Sequence, residues 1–125
     1  MPRIWLPFQH PNLPIVTARF RQYPFRVLVD SGAEISLVSP QTALELGLAK
    51  SGSRLIKKIQ GSWQSKILVD FDSIGFAGIE LAAFSAAISQ VASLGLNIEM
   101  ILGVNAFAKR RVLLDYIENR VYLME

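Results

Sequence analysis

Phe25-Arg26-Val27-Leu28-Val29-Asp30-Ser31-Gly32-Ala33-Glu34-Ile35-Ser36-Leu37-Val38 is the stretch that organises the chain. An apolar run ends in a carboxylate, a small hydroxyl and a glycine follow at once, and a second apolar run leads away. The pattern predicts a buried strand over Phe25 to Asp30, a turn at Asp30-Ser31-Gly32 and a short strand over Ile35 to Val38. A carboxylate at the end of a buried strand is costly unless it is paired or put to use. Gly32 suits either a close backbone approach or a positive φ. Ser31 offers a hydroxyl that can bond across a neighbouring loop. An Asp-Ser-Gly triplet alone is an ordinary turn; the Val-Leu-Val run before it is what gives it weight.

Working outward, Ile15 to Phe20 alternates as a strand and Gln22-Tyr23-Pro24 turns the chain into the quoted stretch. Residues 1–14 carry Pro2, Pro7, Pro11 and Pro14 with Trp5 and Phe8 between them, which predicts an extended N-terminal arm or edge segment, because proline lacks the donor a central strand needs. Downstream, Ser39-Pro40-Gln41-Thr42-Ala43-Leu44-Glu45-Leu46-Gly47 reads as a short helix, with Ser39 as N-cap, Pro40 in the first turn and Gly47 as the stop. Arg54 to Ile59 and Ser65 to Phe71 read as strands flanking a hairpin tip at Gln60-Gly61-Ser62-Trp63-Gln64. Phe71 to Ile88 reads as a further strand pair turning near Ala77-Gly78, although Ala82 to Leu94 is alanine-rich enough to be helical. Glu99 to Gly103 is an apolar strand ending in glycine, Asn105 to Arg111 one or two helical turns, and Val112 to Tyr116 with Arg120 to Met124 a closing pair around Glu118-Asn119. Many short strands and two small helices define a mostly β, closed barrel-like domain.

The 125 residues suffice for a single domain over residues 1–125. An apolar fraction of 51% with 18% charged residues excludes a disordered chain. A mean hydropathy of +0.34 hints at apolar surface buried against a partner. The net charge of +3 is mild and the basic residues are scattered, with small groups at Lys57-Lys58 and Lys109-Arg110-Arg111, so no nucleic-acid partner is expected. Cysteine is absent, which excludes disulfides, a thiolate nucleophile and cysteine metal sites. The only histidine, His10, lies in the proline-punctuated segment and reads as a surface residue, which argues against a histidine metal cluster or a Ser-His-Asp triad. No metal and no cofactor are expected.

No basic-then-apolar leader opens the sequence. Leu81 to Ile98 has no charged residue, but Ser85, Ser89, Gln90, Ser93, Gly95 and Asn97 make it too polar for a membrane span. The expectation is a soluble protein, cytoplasmic by default.

Four features, in order over residues 15–125, resemble the retroviral-type aspartic proteases, the retropepsins, and their cellular and bacterial relatives. They are Leu28-Val29-Asp30-Ser31-Gly32-Ala33, similar to the family's active-site loop; the hairpin around Gly61, where the family carries its flap; Ile101-Leu102-Gly103-Val104-Asn105, similar to an element before a short helix; and Val112-Leu113-Leu114-Asp115-Tyr116 with its closing strand. The resemblance implies an aspartic endopeptidase with one Asp-Ser-Gly loop per chain, whose site exists only in a homodimer with the two Asp30 carboxylates at the two-fold axis. No second Asp-Thr/Ser-Gly occurs, so a two-loop, pepsin-like site in one chain is excluded. Two adjacent carboxylates share one proton; the charged one activates a water and the protonated one donates to the scissile carbonyl.

By the same resemblance Asp30 is the catalytic acid/base, Ser31 cross-links the two loops, and Gly32 and Ala33 line the cleft. Leu28, Leu37 and Ile101 form apolar subsite walls, while Ile59, Gly61 and Trp63 lie on or near the flap. Leu37, Ile59 and Ile101 also have an ordinary core reading. The substrate is an extended peptide or protein segment, bound as an added strand. Glu34 stands where retroviral enzymes usually carry a second Asp that contacts substrate backbone or an arginine, and Val104 where they often carry that arginine. Two other classes fit the same residues: a catalytically silent retropepsin-like dimerisation or peptide-binding module, and an unrelated basic β-barrel that binds nucleic acid, against which stands the lack of aromatics interleaved with a basic stripe.

Overall fold

The computed structural model describes residues 3–57, 61–91, 95–108 and 110–124. In chain order it has β1 (Arg3–Pro7), β2 (Ile15–Phe20), β3 (Tyr23–Val29), β4 (Ser36–Val38), α1 (Pro40–Glu45), β5 (Lys50–Lys57), β6 (Trp63–Phe71), β7 (Ile74–Phe76), β8 (Ile79–Leu81), β9 (Phe84–Ile88), β10 (Met100–Leu102), a 3-10 turn (Val104–Phe107), β11 (Arg111–Asp115) and β12 (Arg120–Met124). The strands form two sheets. One is three-stranded in the order β1-β12-β11, and the other is nine-stranded in the order β5-β6-β9-β4-β10-β3-β2-β7-β8.

The mostly β architecture is as expected, but the sheets are not closed into a barrel. β5 and β8 are the outermost strands of the larger sheet and do not pair with each other. The β5–β6 hairpin runs out from the sheet, and β5 is exposed along nearly its whole length, so it offers no apolar row on which a closure could form. The alternative helix over Ala82 to Leu94 is also corrected. Phe84–Ile88 is a strand between β6 and β4, with Phe84, Ala86 and Ala87 buried. A central strand covered on both faces reads as a continuous apolar run, and its alanines let the neighbouring layers approach closely.

Local chemistry accounts for the other boundaries. The β2–β3 reversal falls at Arg21-Gln22, with Arg21 in the left-handed region at φ 56°, so Tyr23 pairs with Phe20 and Pro24 is taken into the strand. Ser39 caps α1, its hydroxyl accepting from the Thr42 N–H, and Pro40 opens the helix. The N-terminal segment is an edge strand: β1 pairs antiparallel with β12, from Arg3 opposite Met124 to Pro7 opposite Arg120. Pro7 ends that strand at the sheet edge, where its missing donor costs nothing.

The main core gathers Phe25, Val27 and Val29 from β3, Phe71 from β6, Phe76 from β7, Met100 and Leu102 from β10, and Val121 and Leu123 from β12. Alternation along β3 puts Arg26, Leu28 and Asp30 on the opposite face. There a smaller apolar cluster forms around Ile15, Val91, Ile98 and Ile101, with Leu28, Ala33 and Leu37 packed against it. No helix among the described residues is long and apolar enough to cross a membrane.

Candidate active site

β10 joins the two halves of the opening stretch. It pairs parallel with β3, placing Ile101 opposite Leu28, and antiparallel with β4, placing Ile101 opposite Leu37. Leu28, Ile101 and Leu37 therefore form one row across three strands, beside the loop that leaves β3. Ile101 is 7% exposed, as its core reading expects; Leu28 and Leu37 are half-buried.

Asp30 is half-buried at the end of β3. Its N–H donates to the Leu102 carbonyl at 2.9 Å, extending the parallel ladder by one residue. Its Oδ1 accepts from the Gly32 N–H at 2.9 Å, and its carbonyl accepts from the Ala33 N–H at 3.2 Å. The first of these closes an Asx turn. Gly32 is absent from the left-handed residues, and a Cβ there would meet the Asp30 Oδ1 at 3.3 Å. Its smallness accommodates the folded-back carboxylate rather than a foreign backbone or a positive φ. Ser31, Gly32 and Glu34 are exposed and Ala33 is half-buried.

The glycine that permits close backbone approach is Gly103. A Cβ at that position would lie 2.5 Å from the Ala33 carbonyl oxygen and 3.0 Å from Ile35. The Val104 N–H donates to the same Ala33 carbonyl at 2.8 Å. Behind this contact lies a polar cluster. Asn105 Oδ1 accepts from both the N–H and the hydroxyl of Ser36, each at 2.8 Å, and Ser36 Oγ accepts from the Gly103 N–H at 2.9 Å. Asn105 Nδ2 donates to the Ser85 carbonyl at 2.6 Å. Sequence reading placed Asn105 in a motif and Ser36 in a strand but gave neither a role. The available signal was a serine and an asparagine at otherwise apolar positions, where a buried polar group must have partners.

Asp30 and Ser31 open onto a cavity of about 220 Å³ lined also by Val29, Leu102, Gly103, Val104, Phe107, Arg110 and Val112. Val104, 48% exposed, forms part of its rim, so the position expected to lack an arginine presents an apolar surface. Arg110, six residues on, brings a guanidinium to the same cavity, which the sequence reading did not foresee. Larger hollows of about 520 and 560 Å³ are lined by other residues, Arg21, Asp70 and Asp72 in one and Tyr23, Glu45 and Glu99 in the other. Tyr23 Oη donates to Glu45 at 3.1 Å; that hydrogen bond, then the Glu99 charge, hold the phenol above its ordinary range.

Trp63 begins β6 opposite Lys57 and is 63% exposed. Gly61 has φ +90°, a turn conformation that L side chains rarely adopt. Ile59 lies outside the described residues. No group of three or more His, Cys, Asp or Glu side chains placed to hold a metal ion occurs among the described residues.

The fold that carries this loop is similar to that of solved structures of one class. A retropepsin-like aspartic protease from Rickettsia conorii matches with a TM-score of 0.67 at 16% identity, over 98% of this chain and 89% of that one. The retroviral protease-like domain of Ddi1 from Leishmania major matches with a TM-score of 0.60 at 17% identity, over 87% of this chain and 86% of that one. EIAV protease, in complex with the inhibitor HBY-793, matches with a TM-score of 0.58 at 18% identity, over 79% of this chain and 88% of that one. The fold is thus that of the retropepsin-like proteins. The family described as aspartyl protease matches residues 16–106, and the chain belongs to it. Comparison with curated protein sequences finds no match.

Proposed function

We propose that the chain is an aspartic endopeptidase that works as a homodimer, hydrolysing peptide bonds between the two Asp30 carboxylates. The observation that supports this most directly is the Asp30 backbone, tied to Leu102 at the end of β3 with its side chain at an open cavity, in a chain of the aspartyl protease family. One chain contributes one such loop, so the second carboxylate comes from a second copy through an isologous contact.

The chemistry needs no residue beyond that pair. Two close carboxylates hold one proton between them. The ionised one takes a proton from water as its oxygen bonds to the scissile carbonyl carbon, while the protonated one gives its proton to the carbonyl oxygen. The resulting diol collapses as the C–N bond breaks and the departing nitrogen takes up a proton. Ser31 ties the paired loops, Gly32 and Ala33 meet the substrate backbone, and Leu28, Leu37 and Ile101 shape apolar subsites. Glu34 contacts substrate at the cleft margin. The hairpin bearing Ile59, Gly61 and Trp63 is the flap that covers the bound, extended peptide.

A mixed peptide library incubated across about pH 3.5 to 7 tests this beside the Asp30→Asn variant. Cleavage by the wild-type chain alone, blocked by a transition-state peptidomimetic such as pepstatin, is the expected result. Cleavage that persists in Asp30→Asn sinks the mechanism. An intact dimer that binds peptides without cleaving them identifies a binding module instead.

A further inference from the structure

The strand register carries the Leu28-Ile101-Leu37 row on across the sheet. Leu37 is opposite Ala87 on β9, Ala87 is opposite Leu68 on β6, and Leu68 is opposite Gly52 on β5. Residues matched in register share a face of the sheet, and so do residues two apart along one strand. Lys66 therefore stands on the face that carries Leu28, Ile101 and Leu37, and Arg54, its partner in register, stands there with it. Asp30 follows Leu28 by two residues on the same alternation. The side of the β5–β6 hairpin that continues the face of the candidate site is cationic.

Two like charges directly opposite on neighbouring strands, about 5 Å apart at Cβ, destabilise a hairpin. Arg54 is exposed and Lys66 half-buried, and neither forms an ion pair among the described residues. The sequence offers the hairpin no acid to relieve them. Between Glu45 and Asp70 lie five of the thirteen cations, Lys50, Arg54, Lys57, Lys58 and Lys66, and none of the ten acids. The remainder of the chain, with eight cations against ten acids, is net negative although the whole carries +3. The positive charge is thus concentrated in the hairpin, and a carboxylate set between Arg54 and Lys66 turns one repulsion into two attractions.

We infer that the Arg54-Lys66 pair is a specificity determinant that selects peptide substrates carrying an acidic side chain away from the scissile bond. The inference deepens the protease reading and rests on it for the meaning of the cleft. Four strand spacings separate β3 from β6, about 19 Å in all. An extended peptide advances about 3.3 Å per residue, and the long cationic side chains span several ångströms of the gap, so the matched acid lies about three to five residues from the bond cleaved. Ile56 opposite Gln64, one step nearer the hairpin tip on the same face, covers the uncharged residues between.

The test uses one peptide that the full chain cleaves, remade with Glu, Gln or Lys at each of those positions on either side of the scissile bond. At about pH 6, where glutamate is ionised, the best Glu peptide should exceed its Gln form in kcat/KM by about fivefold, the scale of exposed ion pairs. The gap should close in about 0.5 M salt, where screening acts over on the order of 4 Å. Arg54→Glu/Lys66→Glu should reverse the order in favour of the Lys peptide, and Arg54→Gln/Lys66→Gln, which changes charge with little change of shape, should abolish it. Equal rates for the three wild-type substrates, or a Glu preference that survives in either double variant, overturns the inference and leaves the protease reading standing. Fluorescence anisotropy of labelled Glu-rich, Gln-rich and Lys-rich peptide pools on Asp30→Asn chains reads the same selection without turnover. A wild-type chain that cleaves no peptide while the pools still bind in the expected order, and in reversed order after charge reversal, overturns the protease reading and keeps the hairpin as an acidic-peptide site. A labelled oligonucleotide that binds more tightly than the Glu-rich pool, and is lost in the charge-reversed variant, assigns the cations to nucleic acid and overturns the inference.

Discussion

Asp30 donates its backbone N–H to the carbonyl of Leu102 at 2.9 Å, and the preceding Val29 N–H is held by the Pro14 carbonyl at the same distance. β3 is thus bonded on both sides up to the residue that carries the carboxylate. The side chain starts from a fixed backbone, and only Ser31, Gly32 and Glu34 project into solvent. A site built on a strand end inherits the rigidity of the sheet, which a free loop lacks.

Gly103 is where that rigidity is most sensitive to a single atom. Its added Cβ would overlap the Ala33 carbonyl oxygen at 2.5 Å, and both partners are backbone. Gly103→Ala should therefore lower stability by about 3 kcal/mol, at the upper end of overpacking effects. Urea denaturation measures this directly. A loss below about 0.5 kcal/mol, within the range of neutral surface changes, would mean that the loop can retreat from β10 at little cost.

Trp63 provides an optical readout of the hairpin. It is 63% exposed in the isolated chain, and an exposed tryptophan at the start of β6 has apolar area available for a partner. In a Trp5→Phe background, which removes the only other indole, its emission should shift to the blue when a peptide inhibitor is added. Trp63→Ala should raise KM about tenfold, as loss of an aromatic anchor does, with a smaller change in kcat. Emission that ignores saturating inhibitor would place the hairpin outside the binding cleft.

How much of this was legible from residues alone divides along physical lines. β2, α1, the 77–78 turn and the closing β11–β12 pair follow from alternation, a serine cap and turn residues, which are local signals. Asp30 stood out because a carboxylate ended an apolar run. What could not be read was anything set by partners distant in sequence. Ser36 meets Asn105 across 69 residues, and Gly103 meets Ala33 across 70, so neither contact leaves a periodic trace. Alanines at 86 and 87 suit helix and buried strand alike, and only the neighbouring β4 and β6 decide for strand. Closure of the barrel failed for the same reason, since strand order cannot be counted from strand number.

Tyr23 should titrate above the ordinary phenol range. The cause is first its hydrogen bond to Glu45 and then the charge of Glu99, both of which favour the neutral phenol. The sign follows: a pKa raised in the folded state adds stability that is fully present below the unfolded phenol's pKa and is lost as pH rises through the folded one. Ultraviolet absorbance titration of wild type against Glu45→Gln isolates the shift, which should shrink in the variant. An unaltered phenol curve would show that the contact does not persist in solution. Tyr23 is exposed, so the accompanying change in stability should be small.

The strongest demand of the protease reading is that two copies of Asp30 act together. Wild-type chains mixed with Asp30→Asn chains and allowed to exchange should form mixed dimers in which one carboxylate lacks its mate. With random pairing, a ninefold excess of variant should lower the rate per wild-type chain to about one-tenth, because only pairs of two wild-type chains retain both acids. Dilution should likewise depress specific activity as dimers dissociate, with sedimentation reporting the same midpoint. A rate per wild-type chain that is indifferent to added Asp30→Asn, at a concentration where sedimentation shows exchange, would mean that each chain cleaves alone. The carboxylate at the end of β3 would then need a different partner.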